Sequence, residues 1–539
     1  MKISKIEIKN IGPFKDNTVI ELDGKISTII GENGTGKSTI LFLIRFVLDP
    51  KIRKLGINEN LIYDISKAFK IKIVFNTEDN KNNNAHINSL PIIENNKIMI
   101  EISSLKNDEI NIQEPIIVIG EIEKIQYNIF QKLPFDDYID LIYINSQYES
   151  NDEMWINKKF EDEYIKEHLS SQILSSINDA NCEISQIKEI KDFKDEVNNE
   201  ILNIFKNDKF NLSLASNIET KKIGKALKFF PIENSKTIDS HGDGFNKIFS
   251  IIAKIKTNSN EGKESILIID ELENHLFHSY QRQLIDYLDK LNINQSIVIT
   301  HSPNLITLLP NSSITKVRLN AIPVTFFISP ESDFYYWQVD LASSIFYEYV
   351  IIVEGHSEKI FYEFLLNKNE SFKKKLGDKN LFIMCNSGIH FKEKVSLLKK
   401  LCKKVIVLTD NDFWLSEKEE MLMGIKRIYE IIRIYDETYK IDENVFKYSD
   451  RSKNTQTIND VIKRGEKKGI YTQSVIGHTF EDSLKLEKLI RNEDVSQLKK
   501  SKMKKLSSII DNISKKIDDS IIDNSEYLFK WISKLNDED

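Results

Sequence analysis

The chain has 539 residues, more than one hydrophobic core supports, so we expect two to four domains. Apolar residues make up 40% and charged residues 29% of the sequence, a balance that is typical of a folded globular protein and excludes a disordered chain. The formal net charge of −7 excludes a chain that is basic throughout, so any binding of nucleic acid must depend on local basic patches.

No stretch approaches eighteen consecutive apolar residues, and the opening "MKISKIEIKN" alternates like a strand instead of forming the apolar block of a signal peptide. We therefore expect a cytoplasmic protein with no membrane partner. The cysteines lie far apart and form no C-x-x-C pair, which indicates neither a disulfide framework nor a zinc site. They are Cys182, Cys385 and Cys402.

The first strands of the chain lead to a glycine-rich loop. "ISKIEIKNI", "NTVIELD" and "ISTII" are predicted strands, and a helix is predicted from Lys37 to about Leu48. Between them, "GENGTGKST" satisfies G-x-x-x-x-G-K-[ST] in the strand, loop and helix context that this nucleotide-binding motif requires. Its backbone N–H groups can face phosphate oxygens, Lys37 can reach the outer phosphates, and Ser38 can bind Mg²⁺. The expected nucleotide-binding residues are Gly31, Asn33, Gly34, Gly36, Lys37, Ser38 and Thr39.

The middle of the chain is predicted to be a helical insertion within the first domain. Residues 152–235 mix lysine and glutamate with isoleucine and leucine, which is typical of helices. No heptad pattern persists over three or four repeats, so a long coiled coil is not expected. The insertion is a candidate dimerisation element.

Two later strands end in polar residues that suit a nucleotide site. "SILIIDELENHL" is an apolar run followed by Asp270 and Glu271, so one carboxylate can hold Mg²⁺ and the next can polarise an attacking water. "SIVITHSPNLI" is a strand that ends at His301, which could sense or orient a γ-phosphate. Together with the glycine-rich loop, these motifs predict an ATPase.

A second pair of strands delivers carboxylates to a different site. "YVIIV" is a predicted buried strand that ends at Glu354, and "VIVLT" is another that is followed by Asp410 and Asp412. Residues two apart in an extended chain point the same way, so these carboxylates are expected to converge into an oxygen-rich site for Mg²⁺ or Mn²⁺. The alternative is that Glu354 caps a helix and that the two aspartates are ordinary turn residues.

The first set of motifs resembles the ABC-type ATPase heads of the RecF and SMC group. That resemblance implies ATP as the cofactor and a dimer that encloses it, with a serine-glycine signature from the neighbouring subunit. "DSHGDGFNKIFSII" stands in the place of that signature but departs from its usual form, and it implies roles for Ser240, Gly242 and Gly244. Gln147 is a candidate for the metal-sensing glutamine of that group.

The second set resembles a Toprim domain, whose marks are a glutamate followed by glycine and a later D-x-D, with Gly388 after the middle strand. An ABC-type head followed by Toprim is the arrangement of the OLD (overcoming lysogenization defect) family, which includes the nuclease subunit of the Gabija antiphage system. That resemblance implies a further acidic ligand at Glu481, with Asp482 next, and a phosphate contact at Lys485. Alternatively, Glu481 and Lys485 form only a surface pair one helical turn apart.

The sequence therefore predicts an α/β protein with an ABC-type ATPase head at residues 1–340, a Toprim nuclease domain at 341–490 and a helical C-terminal segment at 491–539. Its expected function is ATP-regulated, metal-dependent cleavage of DNA in antiphage defence or DNA processing. Expected partners are DNA, other copies of the chain as a homodimer or higher homo-oligomer, and a helicase-like protein. The alternatives are a Toprim RNase that cleaves tRNA, as in PARIS defence systems, and an ATP-dependent DNA-binding sensor without nuclease activity.

Overall fold

The computed structural model divides into two compact units, Met1–Tyr336 and Trp337–Asp539. The residues that it describes are 1–22, 24–77, 97–106, 109–110, 112, 115–120, 125–145, 186–205, 210–216, 227–233, 236–237, 243–258, 263–274, 276–291, 293–309, 312–319, 321–327, 339–386, 391–410, 413–416, 419–450, 452–472, 479–491, 494–495, 498 and 502–536. Among the helices of these residues, none combines the length and apolar character needed to cross a membrane.

The first unit is built on two six-stranded sheets. Its strands are β1 (Lys2–Lys9), β2 (Thr18–Glu21), β3 (Ile26–Ile30), β4 (Lys70–Asn76), β5 (Lys97–Ser103), β6 (Leu105–Lys106), β7 (Glu109–Ile110), β8 (Ile116–Ile119), β9 (Ile125–Asn128), β10 (Ile139–Ile144), β11 (Phe210–Ser216), β12 (Leu227–Glu233), β13 (Lys236–Thr237), β14 (Glu264–Asp270), β15 (Gln295–Ile299), β16 (Ser312–Lys316) and β17 (Val324–Phe327). Its helices are α1 (Lys37–Leu48), α2 (Pro50–Arg53), α3 (Lys188–Phe205), α4 (Asp243–Asn258), α5 (His278–Lys290) and α6 (Pro303–Leu308), with a 3-10 turn at Glu59–Leu61.

The sheet that carries the nucleotide motifs has the order β10-β14-β15-β3-β16-β17. All of its neighbouring pairs are parallel except β16 with β17. Every residue of β3 and β15 is buried, which explains why these strands are continuous apolar runs and not alternating ones. Because β3, β14 and β15 are parallel neighbours, the segments that follow them meet at one edge of the sheet.

The other six-stranded sheet, β2-β1-β4-β5-β8-β9, is antiparallel. Its strands alternate in sequence, and in β5, "KIMIEIS", the isoleucines Ile98, Ile100 and Ile102 are buried. These side chains share one core with the buried face of α1. That core holds the glycine-rich loop between two rigid elements, β3 and α1.

The prediction of a helical insertion over residues 152–235 is wrong for residues 210–216 and 227–233. α3 is a helix, and residues 146–185 lie outside the described residues. Phe210–Ser216 and Leu227–Glu233, however, pair as antiparallel strands, and Lys236–Thr237 adds a third. The alternation in "FNLSLAS" is the pattern that favours the strand.

The second unit contains a parallel sheet with the order β19-β18-β20-β23. Its strands are β18 (Tyr349–Val353), β19 (Leu381–Cys385), β20 (Lys404–Thr409), β21 (Phe413–Ser416), β22 (Glu419–Leu422) and β23 (Ile470–Thr472). Its helices are α7 (Val339–Ser344), α8 (His356–Lys368), α9 (Glu370–Leu376), α10 (Phe391–Leu401), α11 (Met423–Tyr435), α12 (Thr455–Lys467), α13 (Phe480–Leu486), α14 (Lys502–Ser514), α15 (Asp519–Asn524) and α16 (Trp531–Asn536), with 3-10 turns at Glu443–Phe446 and Tyr448–Asp450.

The C-terminal helices share the hydrophobic core of the second unit. Trp531 is fully buried and packs edge-on against Tyr362 and Phe372, with ring centroids 5.8 and 6.1 Å away. The Tyr362 hydroxyl donates to the Leu528 carbonyl at 2.8 Å, and the Asn369 amide donates to the Ser514 carbonyl at 2.8 Å. Helices α14 to α16 therefore pack against α8 and α9, the helices that follow β18 in the chain.

Candidate active sites

The glycine-rich loop lies between the buried strand β3 and α1, as its motif predicts. The Lys37 side chain turns back over the loop, and its Nζ donates to the carbonyls of Gly31 at 2.9 Å and Glu32 at 2.6 Å. Burial lowers the pKa of Lys37, while the carboxylates of Glu271 and Asp270 oppose that shift. The ammonium is therefore held at the N-terminus of a twelve-residue helix, where phosphate oxygens bind.

Gly36, the residue before α1, must be a glycine for two reasons. Its φ of 102° lies in the left-handed region, and a Cβ at this position would lie 2.6 Å from the Phe14 ring. Ser38 and Asn33 are exposed at the surface of the loop, and Thr39 is half-buried. Ser38 and the exposed part of the loop are thus accessible to a ligand.

The end of β14 brings carboxylates to the loop. Burial raises the pKa of Asp270, and the neighbouring Glu271 raises it further. Glu271 has a φ of 49°, a strained backbone that its surroundings hold in place. Its N–H donates to the Ile299 carbonyl at 3.0 Å, and its carbonyl accepts from Lys247 Nζ at 2.7 Å. The Glu271 side chain accepts from the Asn274 amide at 2.6 Å.

His301, after β15, faces the same carboxylates. Its Nε2 lies 3.9 Å from Glu271 Oε1, and its backbone N–H donates to Glu273 Oε1 at 2.6 Å. Burial lowers the pKa of His301, and the Lys37 ammonium lowers it further. The lowered pKa favours the neutral imidazole, which can both donate and accept a hydrogen bond.

The structure adds residues that the sequence analysis missed at this site. Lys247, on α4, is 3% exposed, and burial lowers its pKa to about 8. A cavity of about 400 Å³ reaches the loop at Thr35 and is lined by Phe14, Lys15 and Arg318. Its lining combines apolar and basic side chains with the acidic Asp16. Neither Lys247 nor the cavity is part of a sequence motif, because each depends on elements that come together only in the folded chain.

The predicted signature residues Ser240 and Gly242 and the predicted metal-sensing Gln147 lie outside the described residues. Gly244 is in the first turn of α4. The roles of these four residues stay predictions.

In the second unit, Glu354 follows β18 and contacts the end of β20. Its Oε2 accepts from the Thr409 hydroxyl at 3.0 Å and from the Asp410 N–H at 3.1 Å. Its Oε1 accepts from Arg427 Nη1 at 2.6 Å. The glutamate is therefore not a helix cap, since these contacts bind it to the neighbouring strand and to α11.

Asp410, which follows β20, is buried, with 6% exposure. Burial raises its pKa well above the usual value, and the nearby carboxylates of Glu358, Glu354 and Glu481 raise it further. Its Oδ1 is buried and has no hydrogen-bond partner among the described residues. A buried, unpartnered carboxylate oxygen among other carboxylates is the environment that a divalent cation stabilises.

Glu481 lies in the first turn of α13 and is 2% exposed, so it is not half of a surface pair with Lys485. A capping box formed by Thr479 and Asp482 fixes the start of this helix. The Thr479 hydroxyl also donates to Glu481 Oε2 at 2.8 Å. Lys485 is exposed on the same helix.

Glu358 is an acidic residue that the sequence analysis missed. It lies in the first turn of α8 and is 5% exposed, and a Cβ at Gly355 would lie 2.9 Å from its Oε2. A signal for it existed, since this second glutamate follows Glu354 by only four residues in "EGHSEK". Gly355 is needed because the Glu358 carboxylate passes close to its backbone.

The donor set fits Mg²⁺ or Mn²⁺, because it consists of carboxylate oxygens. Within the described part of the chain, no three His, Cys, Asp or Glu side chains are grouped closely enough to hold an ion as they stand. Two predicted elements of this site, Asp412 and Gly388, lie outside the described residues. The residues available to a metal are Glu354, Glu358, Asp410 and Glu481.

Two family descriptions match the chain. "AAA ATPase domain" covers residues 1–306, and "Overcoming lysogenization defect protein-like, TOPRIM domain" covers residues 345–412. Because the first match spans more than half of the chain, the chain belongs to the AAA ATPase domain family, and with its Toprim domain it is an OLD-family enzyme that combines an ATPase with a nuclease domain. The predicted fold class and the order of its two parts are confirmed.

Similar individual proteins include the endonuclease GajA of Bacillus cereus strain VD045, which is 25% identical over 569 aligned residues that cover 96% of each chain. A structure of an Smc head bound to the C-terminal winged-helix domain of ScpA covers 62% of this chain and all of its own, with 16% identity and a TM-score of 0.41. An Smc head from Pyrococcus furiosus with an extended coiled coil, bound to the C-terminal domain of ScpA, covers 62% of this chain and 98% of its own, with 16% identity and a TM-score of 0.40.

Proposed function

We propose that this protein is an ATP-regulated endonuclease that cuts DNA phosphodiester bonds with a divalent metal, in antiphage defence or DNA processing. The observation that carries the proposal is the buried, unpartnered Oδ1 of Asp410, a carboxyl group whose pKa is raised by burial and by the carboxylates of Glu358, Glu354 and Glu481. The similarity to the endonuclease GajA over 96% of both chains supports endonuclease activity.

At the nuclease site, Glu354, Glu358, Asp410 and Glu481 would hold Mg²⁺ or Mn²⁺, and Asp412 is a proposed further ligand. When bound, the metal lowers the pKa of an attacking water and stabilises charge on the phosphate. The chain's own contribution is to fix the ligands: Thr409 and the Asp410 N–H orient Glu354, and Thr479 orients Glu481.

At the ATP site, the loop backbone and Lys37 would bind the phosphates, and Ser38 and Asp270 would hold Mg²⁺. Glu271 would accept a proton from the attacking water, and its Oε1 lies 3.9 Å from His301 Nε2. ATP is proposed to control cleavage and not to drive it, because hydrolysis of a phosphodiester bond needs no added energy. We expect a homodimer or a higher homo-oligomer, in which Ser240 and Gly242 complete a neighbour's ATP site, and a helicase-like partner protein.

The test uses purified full-length protein with supercoiled plasmid, duplex DNA and tRNA, each with Mg²⁺, Mn²⁺ or EDTA. We expect nicking or linearisation of DNA that EDTA abolishes and that Glu354→Gln reduces at least 100-fold. The matched control is Glu370→Gln, since Glu370 lies on α9 and its side chain is 86% exposed. Cleavage of tRNA alone would assign the RNase alternative, and ATP-dependent DNA binding without any cleavage would assign the sensor alternative.

A further inference from the structure

The guanidinium of Arg427 lies within the proposed metal site. Its Nη1 is 2.6 Å from Glu354 Oε1 and 3.5 Å from the Thr409 hydroxyl. The ion pair is near the surface, with the Arg427 side chain 25% exposed and that of Glu354 22% exposed. A solvent-accessible cation thus stands at the carboxylate that the nuclease reaction requires.

The backbone that carries Arg427 is fixed. In α11, Ile428, Ile431 and Ile432 are buried, and the helix packs against β20. The arginine side chain is long, so its guanidinium can move by rotation of the side chain while the helix stays in place. The described geometry therefore allows Arg427 to exchange one anionic partner for another at this site.

A cation on Glu354 changes the balance of charges around Arg427. A divalent ion bound to that carboxylate repels the guanidinium, and the same ion attracts a phosphodiester, which brings a new anion to the same place. Arginine has a planar fork of N–H donors that matches phosphate oxygens, and charge-assisted hydrogen bonds of this kind are the strong ones. The sequence analysis assigned the phosphate contact to Lys485, which is exposed on α13. Arg427 instead contacts Glu354 directly.

We propose that Arg427 binds the scissile phosphate, and that the Glu354 carboxylate holds its guanidinium in place until metal and substrate arrive. This inference rests on the proposed nuclease function. It assigns Arg427 a direct contact with substrate, in addition to its contact with a metal ligand.

The experiment measures DNA binding and metal binding separately in the full-length protein. A duplex of 30 base pairs is titrated with Ca²⁺ in place of Mg²⁺, at several salt concentrations, and its integrity is checked on a gel. For Arg427→Gln we expect about tenfold weaker binding at low salt and a slope of log affinity against log salt that is shallower by about 0.9, the value for one lost phosphate contact. Arg427→Lys keeps the charge and is expected to keep most of the slope.

The matched control is Arg433→Gln, because Arg433 is exposed on the same helix, six residues away. In the absence of DNA, calorimetric titration with Mn²⁺ should show that Arg427→Gln binds the ion at least as tightly as the wild type, since a competing cation has been removed. Weaker Mn²⁺ binding with an unchanged salt slope would overturn the inference, because Arg427 would then only position Glu354.

A second pair of variants covers the case in which Arg427→Gln leaves an unpaired carboxylate and does not fold. Glu354→Gln retains Arg427, and Glu354→Gln with Arg427→Gln removes both charges. The double variant should have a salt slope shallower than that of Glu354→Gln by about 0.9, and equal slopes would overturn the inference. If the wild type does not cut DNA, the proposed function itself fails. If it does and the slopes are equal, only the role of Arg427 fails.

Discussion

At the scale of single residues, Asp410 shows how function opposes stability at the nuclease site. Its carboxyl is almost fully buried and lies beside Glu358 and Glu354, so burial and like charge both raise its pKa. A fold without a role for this group has no reason to keep it there, because an amide or an apolar side chain avoids both costs. The environment of Asp410 therefore points to a cation that offsets the repulsion.

The first prediction concerns the stability of the metal-free protein. Asp410→Asn removes a buried acid from like-charged neighbours, so we expect it to raise the free energy of unfolding in EDTA by about 1 kcal/mol, or about 2–4 °C in Tm. Thermal unfolding at pH 7 measures this, and Glu370→Gln should leave Tm unchanged. A lower Tm for Asp410→Asn would show that the carboxylate stabilises the metal-free fold.

The second prediction concerns Lys37. Its ammonium is 6% exposed and is held over the loop by the carbonyls of Gly31 and Glu32, where it can bind the outer phosphates. Lys37→Ala should weaken ATP binding by about 10- to 100-fold, because charge-assisted hydrogen bonds to phosphate are lost. Titration with a fluorescent ATP analogue measures the change, with Lys51→Ala, an exposed lysine on α2, as the control. Equal affinities for the two variants would contradict the assignment.

At the scale of elements, the strands that carry both sites were predictable because each is an apolar run that ends at a polar residue. β3, β14 and β18 are buried on both faces, and Asp270 and Glu354 stand where those runs stop. The order of the strands within each sheet was not predictable, because an apolar run carries no information about which strands lie beside it. Arg427 was missed for that reason: it reaches Glu354 only because α11 packs on β20, and its local sequence, "GIKRIYE", is that of an ordinary amphipathic helix.

The third prediction concerns the turn into α1. Gly36→Ala places a Cβ 2.6 Å from the Phe14 ring at a φ of 102°, so the loop must shift. We expect a loss of about 1–3 kcal/mol in the free energy of unfolding and weaker ATP binding. Gly377→Ala is the control for backbone strain alone, since its φ is 65° and nothing lies within 4 Å of the added Cβ. If Gly36→Ala costs no more than this control and binds ATP normally, the contact with Phe14 does not shape the loop.

At the scale of the whole molecule, each unit has its own hydrophobic core and its own site. The nucleotide motifs lie in the unit Met1–Tyr336 and the carboxylate site lies in the unit Trp337–Asp539. The C-terminal helices belong to the second core, so they contribute to the stability of the nuclease site although they carry none of its residues.

The fourth prediction tests that contribution. Trp531→Ala removes a fully buried ring from the core beside Tyr362 and Phe372, and should lower the free energy of unfolding of the second unit by about 3–5 kcal/mol. Denaturant unfolding measures the loss, and Ser533→Ala, exposed two residues further on, is the control. ATP binding should be unchanged, and a loss of ATP binding would show that the two cores do not fold independently.

The most direct test of two separate sites is Asp410→Asn in the plasmid cleavage assay, with ATP hydrolysis measured on the same samples. We expect cleavage to fall at least 100-fold while ATP hydrolysis stays within about twofold of the wild type, because the substitution removes one proposed metal ligand and leaves the nucleotide site intact. Cleavage at the wild-type rate by Asp410→Asn would contradict the claim that these carboxylates form the nuclease site.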